Sequence, residues 1–254
     1  MYKASWPIPD NVSIAMTNRH GGVSKPPFDS LNLGLHVGDK ASDVLANRAL
    51  IQQRLSITAP LLWLEQVHGT EIVDCTHLSA ASLVNNVPPK ADGSYSSSPH
   101  VSLAIMTADC LPVLLCNKAG TEIAAVHAGW RGLCDGIIET AVKKFSCAPS
   151  ELMAYLGPAI GPEAFEVGVE VKQQFVMVNK HSAQYFKPVV NESCDKPSDK
   201  YLADLNALAK MGLTLLGIKQ IFSADTCTHS DKDYFSYRRD QQTGRMASFI
   251  WLKS

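Results

Sequence analysis

Three strand-length runs in this chain each lead to a soft or borderline metal ligand, and this restricts the fold more than any other feature. Leu61-Leu62-Trp63-Leu64 leads into His68, Val101-Ser102-Leu103-Ala104-Ile105-Met106 into Cys110, and Thr121-Glu122-Ile123-Ala124-Ala125-Val126 into His127. Each run is apolar or alternating, as a strand requires. Two imidazoles and one thiolate suit a single zinc. One ion reaches all three only if the strand ends share a sheet edge, so the pattern asks for a sheet whose termini converge. Three protein ligands with a fourth position open mark a catalytic zinc; four side chains closing the tetrahedron mark a structural one.

The rest of the chain supplies both strands and helices. Val113-Leu114-Leu115-Cys116 reads as the return strand of a hairpin that turns at Asn117-Lys118-Ala119-Gly120, with Pro112 holding a bend at Cys110. Val44, Leu45, Ile51 and Leu55 predict a helix over residues 42–55 with Ser42 as its cap, and residues 133–145 and 205–216 read the same way. Residues 79–99 and 181–200 are rich in Ser, Pro, Asn, Lys and Asp and read as surface loops. Neither separates regions of different composition, so the 254 residues are expected to form one mixed α and β domain.

Charge and cysteine usage remove several classes of partner. The net charge of −1 comes from 23 basic and 24 acidic side chains with no Lys/Arg cluster, so no nucleic acid is expected. No run approaches the ~18 apolar residues of a membrane span, and the first residues lack the basic-then-apolar pattern of a signal peptide. A cytoplasmic location is the expectation. Seven cysteines, an odd count without a C-x-x-C pair, argue for reduced thiols.

Each candidate residue has a plainer reading beside the chemical one. A cysteine after an apolar strand is more often a small buried hydrophobe than a ligand, and a buried histidine needs only a polar partner. Gly69 and Gly129, close to His68 and His127, favour the chemical reading by allowing close approach. Gly129-Trp130-Arg131-Gly132 stands at the start of the helix expected over 133–145, where free N–H groups and the Arg131 guanidinium suit an anion. Arg19, in Thr17-Asn18-Arg19-His20-Gly21-Gly22-Val23-Ser24, suits a loop that wraps a polar ligand, or a solvated turn. Asp109 suits orienting a ligand histidine, acid/base work, or capping its turn. Tyr234-Phe235-Ser236-Tyr237-Arg238-Arg239 and Gly244-Arg245-Met246 interleave cations with aromatics, which suits stacking on a flat heterocycle or an edge strand. His20, His36, His77, His100, His181 and His229 have no ligand-spaced partner and read as surface or structural residues.

Eight motifs in series carry a specific resemblance. They are the Thr17–Ser24 segment, Ser30-Leu31-Asn32-Leu33-Gly34, Val37-Gly38-Asp39, Gln66-Val67-His68-Gly69, Thr107-Ala108-Asp109-Cys110-Leu111-Pro112, His127-Ala128-Gly129-Trp130-Arg131-Gly132, Leu156-Gly157-Pro158-Ala159-Ile160-Gly161 and Phe235-Ser236-Tyr237-Arg238-Arg239. Together they resemble the YfiH family, also called the multicopper polyphenol oxidase, laccase-domain or purine nucleoside phosphorylase family. The resemblance implies a single-domain, layered α/β/β/α fold with mixed sheets. It maps the zinc ligands of that family onto His68, Cys110 and His127 and points to Arg19 as a substrate-site residue. One departure is visible: where many members carry a Cys pair, this chain has Glu163-Ala164.

The family's activities include phosphorolysis of adenosine, inosine, guanosine and methylthioadenosine, adenosine deamination, copper-dependent phenol oxidation and editing of peptidoglycan precursors. A multicopper oxidase needs about ten histidines, largely in H-x-H pairs. This chain has eight and no H-x-H, which leaves only weak oxidation by adventitious Cu2+ at the three-ligand site. Phosphorolysis and deamination need one open Zn2+, so the expectation is a zinc-dependent purine nucleoside phosphorylase with adenosine deamination as a second activity. Phosphorolysis also needs a cationic clamp for phosphate, with Arg19 and Arg131 as candidates. Two other readings remain: a hydrolase with Cys110 as nucleophile activated by His127, and a non-catalytic protein whose zinc is closed by Cys227.

Overall fold

The computed structural model describes residues 6–78, 87–189 and 199–253. Among these, one four-stranded sheet has the order β1 (Val12–Met16), β13 (Met246–Leu252), β5 (Ser102–Thr107), β2 (Leu61–Leu62). A six-stranded sheet has the order β12 (Gln220–Ser223), β8 (Leu152–Leu156), β6 (Leu111–Asn117), β7 (Ile123–Ala128), β4 (Gly93–Ser96), β3 (Ile72–Asp74). A small third sheet joins β10 (Phe186–Pro188), β11 (Lys200–Ala203) and β9 (Glu166–Gly168). Parallel and antiparallel pairs occur in both large sheets.

The period-2 alternation of the strands assigns their side chains to three apolar layers. Leu103 and Ile105 of β5, Leu114 and Cys116 of β6, Ile123 and Ala125 of β7, and Ile250 and Leu252 of β13 fill the space between the two large sheets. The alternate residues Ala104, Met106, Ala247 and Phe249 face outward onto Ile51 of helix α1 (Ala41–Arg54). On the far side, Val113, Leu115, Ala124 and Val126 pack on α2 (Trp130–Cys134), α3 (Ile137–Val142), α4 (Val169–Val178) and α5 (Leu205–Leu215). The order across the molecule is therefore α/β/β/α, as the family resemblance implied.

Several boundaries differ from the sequence reading, each for a local reason. Helix α1 begins at Ala41 with Lys40 as its cap residue and no side-chain cap bond, so Ser42 lies inside the first turn. The helix expected over 133–145 starts early, at Trp130, and is broken into α2 and α3 because Gly136 takes φ +91°, outside the helical region. The span 79–99 is not all loop. Its residues 93–96 form β4, a fully buried strand whose Tyr95 hydroxyl donates to Glu122 at 2.6 Å; residues 79–86 lie outside the described residues. In the span 181–200, the described part holds a 3-10 turn (Lys180–Tyr185) and strand residues at both ends. The run from Tyr234 to Arg239 is no edge strand but a turn entering the short helix α6 (Tyr237–Asp240), capped by Ser236. No helix among the described residues is long and apolar enough to cross a membrane.

Candidate metal centre

The β6–β7 hairpin does form, and its register decides where two of the ligands meet. Pro112 pairs with His127 and Leu111 with Ala128, so Cys110, one residue before β6, emerges beside the end of β7. His127 shares parity with Ile123 and Ala125 and so points into the space between the sheets, where its side chain is buried. His68 approaches from the loop after β2. The Cys110 Sγ lies 3.9 Å from His68 Nε2, and the ligand atoms of His68, Cys110 and His127 all fall within 4.8 Å of one another. A tetrahedral zinc with Zn–N and Zn–S bonds of roughly 2.0 and 2.3 Å sets its ligands about 3.3–3.6 Å apart. The Cys110–His68 pair at 3.9 Å lies within about 0.5 Å of that spacing and the widest separation, 4.8 Å, exceeds it by about 1.2–1.5 Å, a gap that side-chain rotations can close, so the donors fit one such ion.

Asp92, which lies inside the 79–99 span that the sequence predicts as loop, organises this trio. Its fully buried carboxylate accepts from His127 Nδ1 at 2.8 Å and from the backbone N–H groups of Val67, His68 and Gly69 at 3.1, 2.9 and 2.7 Å. The first bond turns Nε2 of His127 toward Cys110; the other three hold His68 in a left-handed conformation, φ +62°. That conformation costs a non-glycine residue roughly 1–2 kcal/mol, which the three charge-assisted bonds offset. Gln66 adds a clamp: its side chain accepts from Met106 N at 2.8 Å and donates to Met106 O at 2.7 Å, tying the His68 loop to β5. Gly129 leaves room for the trio. A Cβ there would lie 3.0 Å from His68 Cδ2, 3.3 Å from Cys110 Sγ and 3.7 Å from His127 Cε1.

Without a metal, the sulfur and the imidazole share charge. Burial alone would raise the Cys110 thiol, but the facing His127 charge, with hydrogen bonds from His127 and His68, brings it down to about 6. Burial would likewise lower His127; the Cys110 thiolate and Asp92 together raise it to about 9. The resting pair is thiolate and imidazolium.

A cavity of about 400 Å³ opens onto the three ligands and is walled also by His36, Gln66, Met106, Ala108, Tyr237 and Arg245. This volume is in the range of small-molecule sites. Tyr237 and Arg245 come from the C-terminal segments whose aromatics and cations stood out in the sequence. His36, read there as a surface or structural residue, also reaches this wall.

Four other candidates stand elsewhere. The Asp109 carboxylate accepts from Thr228 Oγ1, Ser236 Oγ and Arg238 N at 2.7, 3.0 and 2.7 Å, and the residue holds φ +89°. It fixes the turn that presents Cys110 rather than orienting a histidine, because Asp92 already occupies that position. Arg19 donates to the Asp29 carbonyl at 2.7 Å and carboxylate at 3.3 Å and lies over the Phe235 ring; it is absent from the cavity wall. Arg131 is exposed, stacks on Trp130 and is absent from that wall too. Cys227, the residue expected to close a structural site, lies in a different pocket with Asp204, Asn206 and Lys210, its Sγ accepting from Gly161 N at 3.1 Å. No fourth His, Cys, Asp or Glu joins the cluster among the described residues.

Fold and site define a class: two-sheet α/β/β/α proteins with a His/Cys/His trio placed to hold a metal ion at one end of the inter-sheet core. Residues 13–253 match the family described as multi-copper polyphenol oxidoreductase laccase. The chain belongs to this family, of which YfiH proteins are members. It is 49% identical over 249 residues to purine nucleoside phosphorylase YfiH of Escherichia coli (strain K12), covering 97% of this chain and 96% of that protein. It is 43% identical to a purine nucleoside phosphorylase of Haemophilus influenzae, covering 98% of each. A crystal structure of a Neisseria meningitidis protein matches with TM-score 0.90 at 44% identity, over 99% of this chain and 98% of that one. The resemblance carried by the eight motifs is thus borne out.

Proposed function

We propose that this protein is a zinc-dependent purine nucleoside phosphorylase, with His68, Cys110 and His127 as the metal ligands. The observation that carries the reading is an open set of three donors at the wall of a ligand-sized cavity, with no fourth protein ligand among the described residues. The names of relatives at 43–49% identity support it. When bound there, zinc supplies a Lewis acid for charge that develops on the departing base. In phosphorolysis a phosphate oxygen bonds to C1′ of the ribose while the bond from C1′ to the purine nitrogen breaks. The electron pair leaves with the base, which takes up the proton that the attacking hydrogen phosphate gives up, giving ribose 1-phosphate and free purine.

The chain's own residues supply position and environment for that step. Asp92 fixes the tautomer and direction of His127, Gln66 and Gly129 keep the trio's spacing, and Met106, Ala108 and the Tyr237 ring offer apolar wall to a flat base. The same open position suits water attack on C6 of adenosine with release of ammonia, so deamination is proposed as a second activity. The cysteine-hydrolase reading is weaker here. A nucleophile of that kind needs one base, whereas two imidazoles converge on this sulfur. The multicopper reading calls for more imidazoles than the two found in the cluster.

Protein purified without added metal is expected to carry one equivalent of zinc and to release hypoxanthine from inosine only when phosphate is present. Cys110→Ala should abolish that release. Phosphate-independent release by both proteins would overturn the assignment.

A further inference from the structure

The cavity wall contains a cation that the reading above leaves without a task. Arg245 precedes β13 and is firmly held. Its backbone N–H donates to Asn32 Oδ1 at 2.9 Å, and Nη1 donates to the carbonyls of Thr243 and Gly244 at 3.0 Å each. Its stem runs against Gly34, where a Cβ would lie only 2.8 Å from Arg245 Cγ and 3.5 Å from His36 Cε1. The glycine therefore lets the arginine stem and the His36 ring share one side of the cavity. The Tyr237 ring centroid is 5.8 Å from the guanidinium carbon.

What sets Arg245 apart is that it is the one arginine among the described residues lining this cavity and that it leaves an edge unpaired. Arg19 spends Nε and Nη2 on Asp29, and Arg48 spends the same two on the Leu33 carbonyl. Among the described residues no partner takes Nε or Nη2 of Arg245, and no carboxylate forms an ion pair with it. The Nε/Nη2 edge is one of the forked faces by which a guanidinium grips two oxygens of one oxyanion. Half-buried, acted on by the Cys110 and Asp109 charges but in no direct ion pair among the described residues, the group gains most from a ligand that brings both charge and two acceptor atoms. Burial, and after it the fields of Arg245 and Arg48, lowers the affinity of His36 for a proton. It is thus a neutral ring beside a fixed cation, and it adds a polar contact without a second charge.

We propose that Arg245, with His36 and the Tyr237 hydroxyl beside it, forms the subsite for inorganic phosphate in this cavity. The assignment rests on the phosphorolysis reading and deepens it: the trio end takes the purine, and the Arg245 end takes the attacking oxyanion. It also moves the phosphate clamp away from Arg19 and Arg131.

The test uses the zinc-loaded full chain and the variants Arg245→Gln, Arg245→Lys and His36→Gln. With inosine as substrate, Arg245→Gln should raise KM for phosphate by about 10- to 100-fold, the loss of a two-bond charged contact. KM for inosine and zinc stoichiometry should hold. Arg245→Lys keeps charge and loses the fork, so it should fall between wild type and Arg245→Gln; His36→Gln should raise KM for phosphate less. A phosphate KM unchanged in Arg245→Gln, or a rise confined to inosine, overturns the subsite. Titration calorimetry with inorganic phosphate alone separates this from failure of the phosphorolysis reading. If wild type lacks turnover yet binds phosphate and Arg245→Gln does not, the subsite stands and the activity falls. Equal binding by both proteins, or by neither, overturns the subsite. Thermal melts guard against a folding defect in the arginine variants, with His36→Gln, which removes no side-chain hydrogen bond among the described residues, as a comparison.

Discussion

Replacing Asp92 by asparagine isolates the residue that ties the ligand trio together. The shape is kept and the charge removed from a side chain with no exposed surface, so water cannot compensate. Four bonds change character: three from the backbone of residues 67–69 and one from His127 Nδ1. The amide oxygen still accepts from backbone N–H groups, but one amide corner now presents N–H where an acceptor stood. Loss of a charged hydrogen bond costs about 1.5–3 kcal/mol, and breaking a buried charged pair about 3–5. With the surviving bonds counted, the metal-free variant should lose about 3 kcal/mol, or a Tm fall of roughly 6–12 °C for a chain of this size. A misdirected His127 ring should weaken metal binding by about 10- to 100-fold.

Thermal melts of the metal-free proteins and chelator competition for zinc measure the two effects separately. The sign with pH is fixed as well. Burial alone would raise the Asp92 carboxyl, but bonds from His127, Gly69 and Val67 bring it below its ordinary value of 3.8. Its stabilising contribution is therefore complete above that value and lost as pH falls through the depressed folded one. The stability gap between wild type and Asp92→Asn should be full near neutral pH and close in strong acid. A variant whose zinc competition stays within about twofold and whose Tm stays within about 2 °C of wild type would show that Asp92 does not hold His127 and the His68 loop in place for the metal.

Three further outcomes follow from the same geometry. The raised His127 contributes stability that is full below 6.5 and fades toward about 9, while the lowered Cys110 contributes stability that is full above 9 and fades toward about 6. These slopes oppose each other: in that window the folded and unfolded pair both hold one proton, so metal-free stability should be nearly flat in pH and zinc binding should release about one proton. Calorimetry in buffers of different ionisation enthalpy counts that proton; zero protons released at pH 7.5 would contradict the thiolate–imidazolium pair. Gly129→Ala, whose Cβ would enter the trio at 3.0 Å from His68 Cδ2, should fold and lose about tenfold or more in zinc affinity by chelator competition. Cys227→Ser should retain one equivalent of zinc by elemental analysis, and loss of the metal would revive the closed structural site.

The strands around His68, Cys110 and His127 could be read in the sequence because period-2 apolar runs have one physical cause, burial on a sheet face. The three ligand types could be read because soft donors at the ends of such runs are chemically unusual. Less of the supporting arrangement was legible. The split of α2 from α3 depends on one left-handed glycine, and β4 reads as polar because Ser94, Tyr95 and Ser96 are buried with little aliphatic surface. Asp92 lies 35 residues from His127, and its task depends on a backbone turn that the sequence does not display.

The sequence alone determined the alternating layers and the chemistry of the donor set, since both follow from residue type and short-range spacing. Tertiary structure decided which charges serve the cavity. Arg19, Arg48, Arg131 and Arg245 are the same group in a sequence, and only long-range packing gives Asp29 or a backbone carbonyl to two of them, Trp130 to the third and an unpaired edge on the cavity to the last. It likewise turned Asp109 into a pin for the Cys110 turn and sent Cys227 to another pocket, because a side chain's role is set by the partners that folding brings within bonding distance.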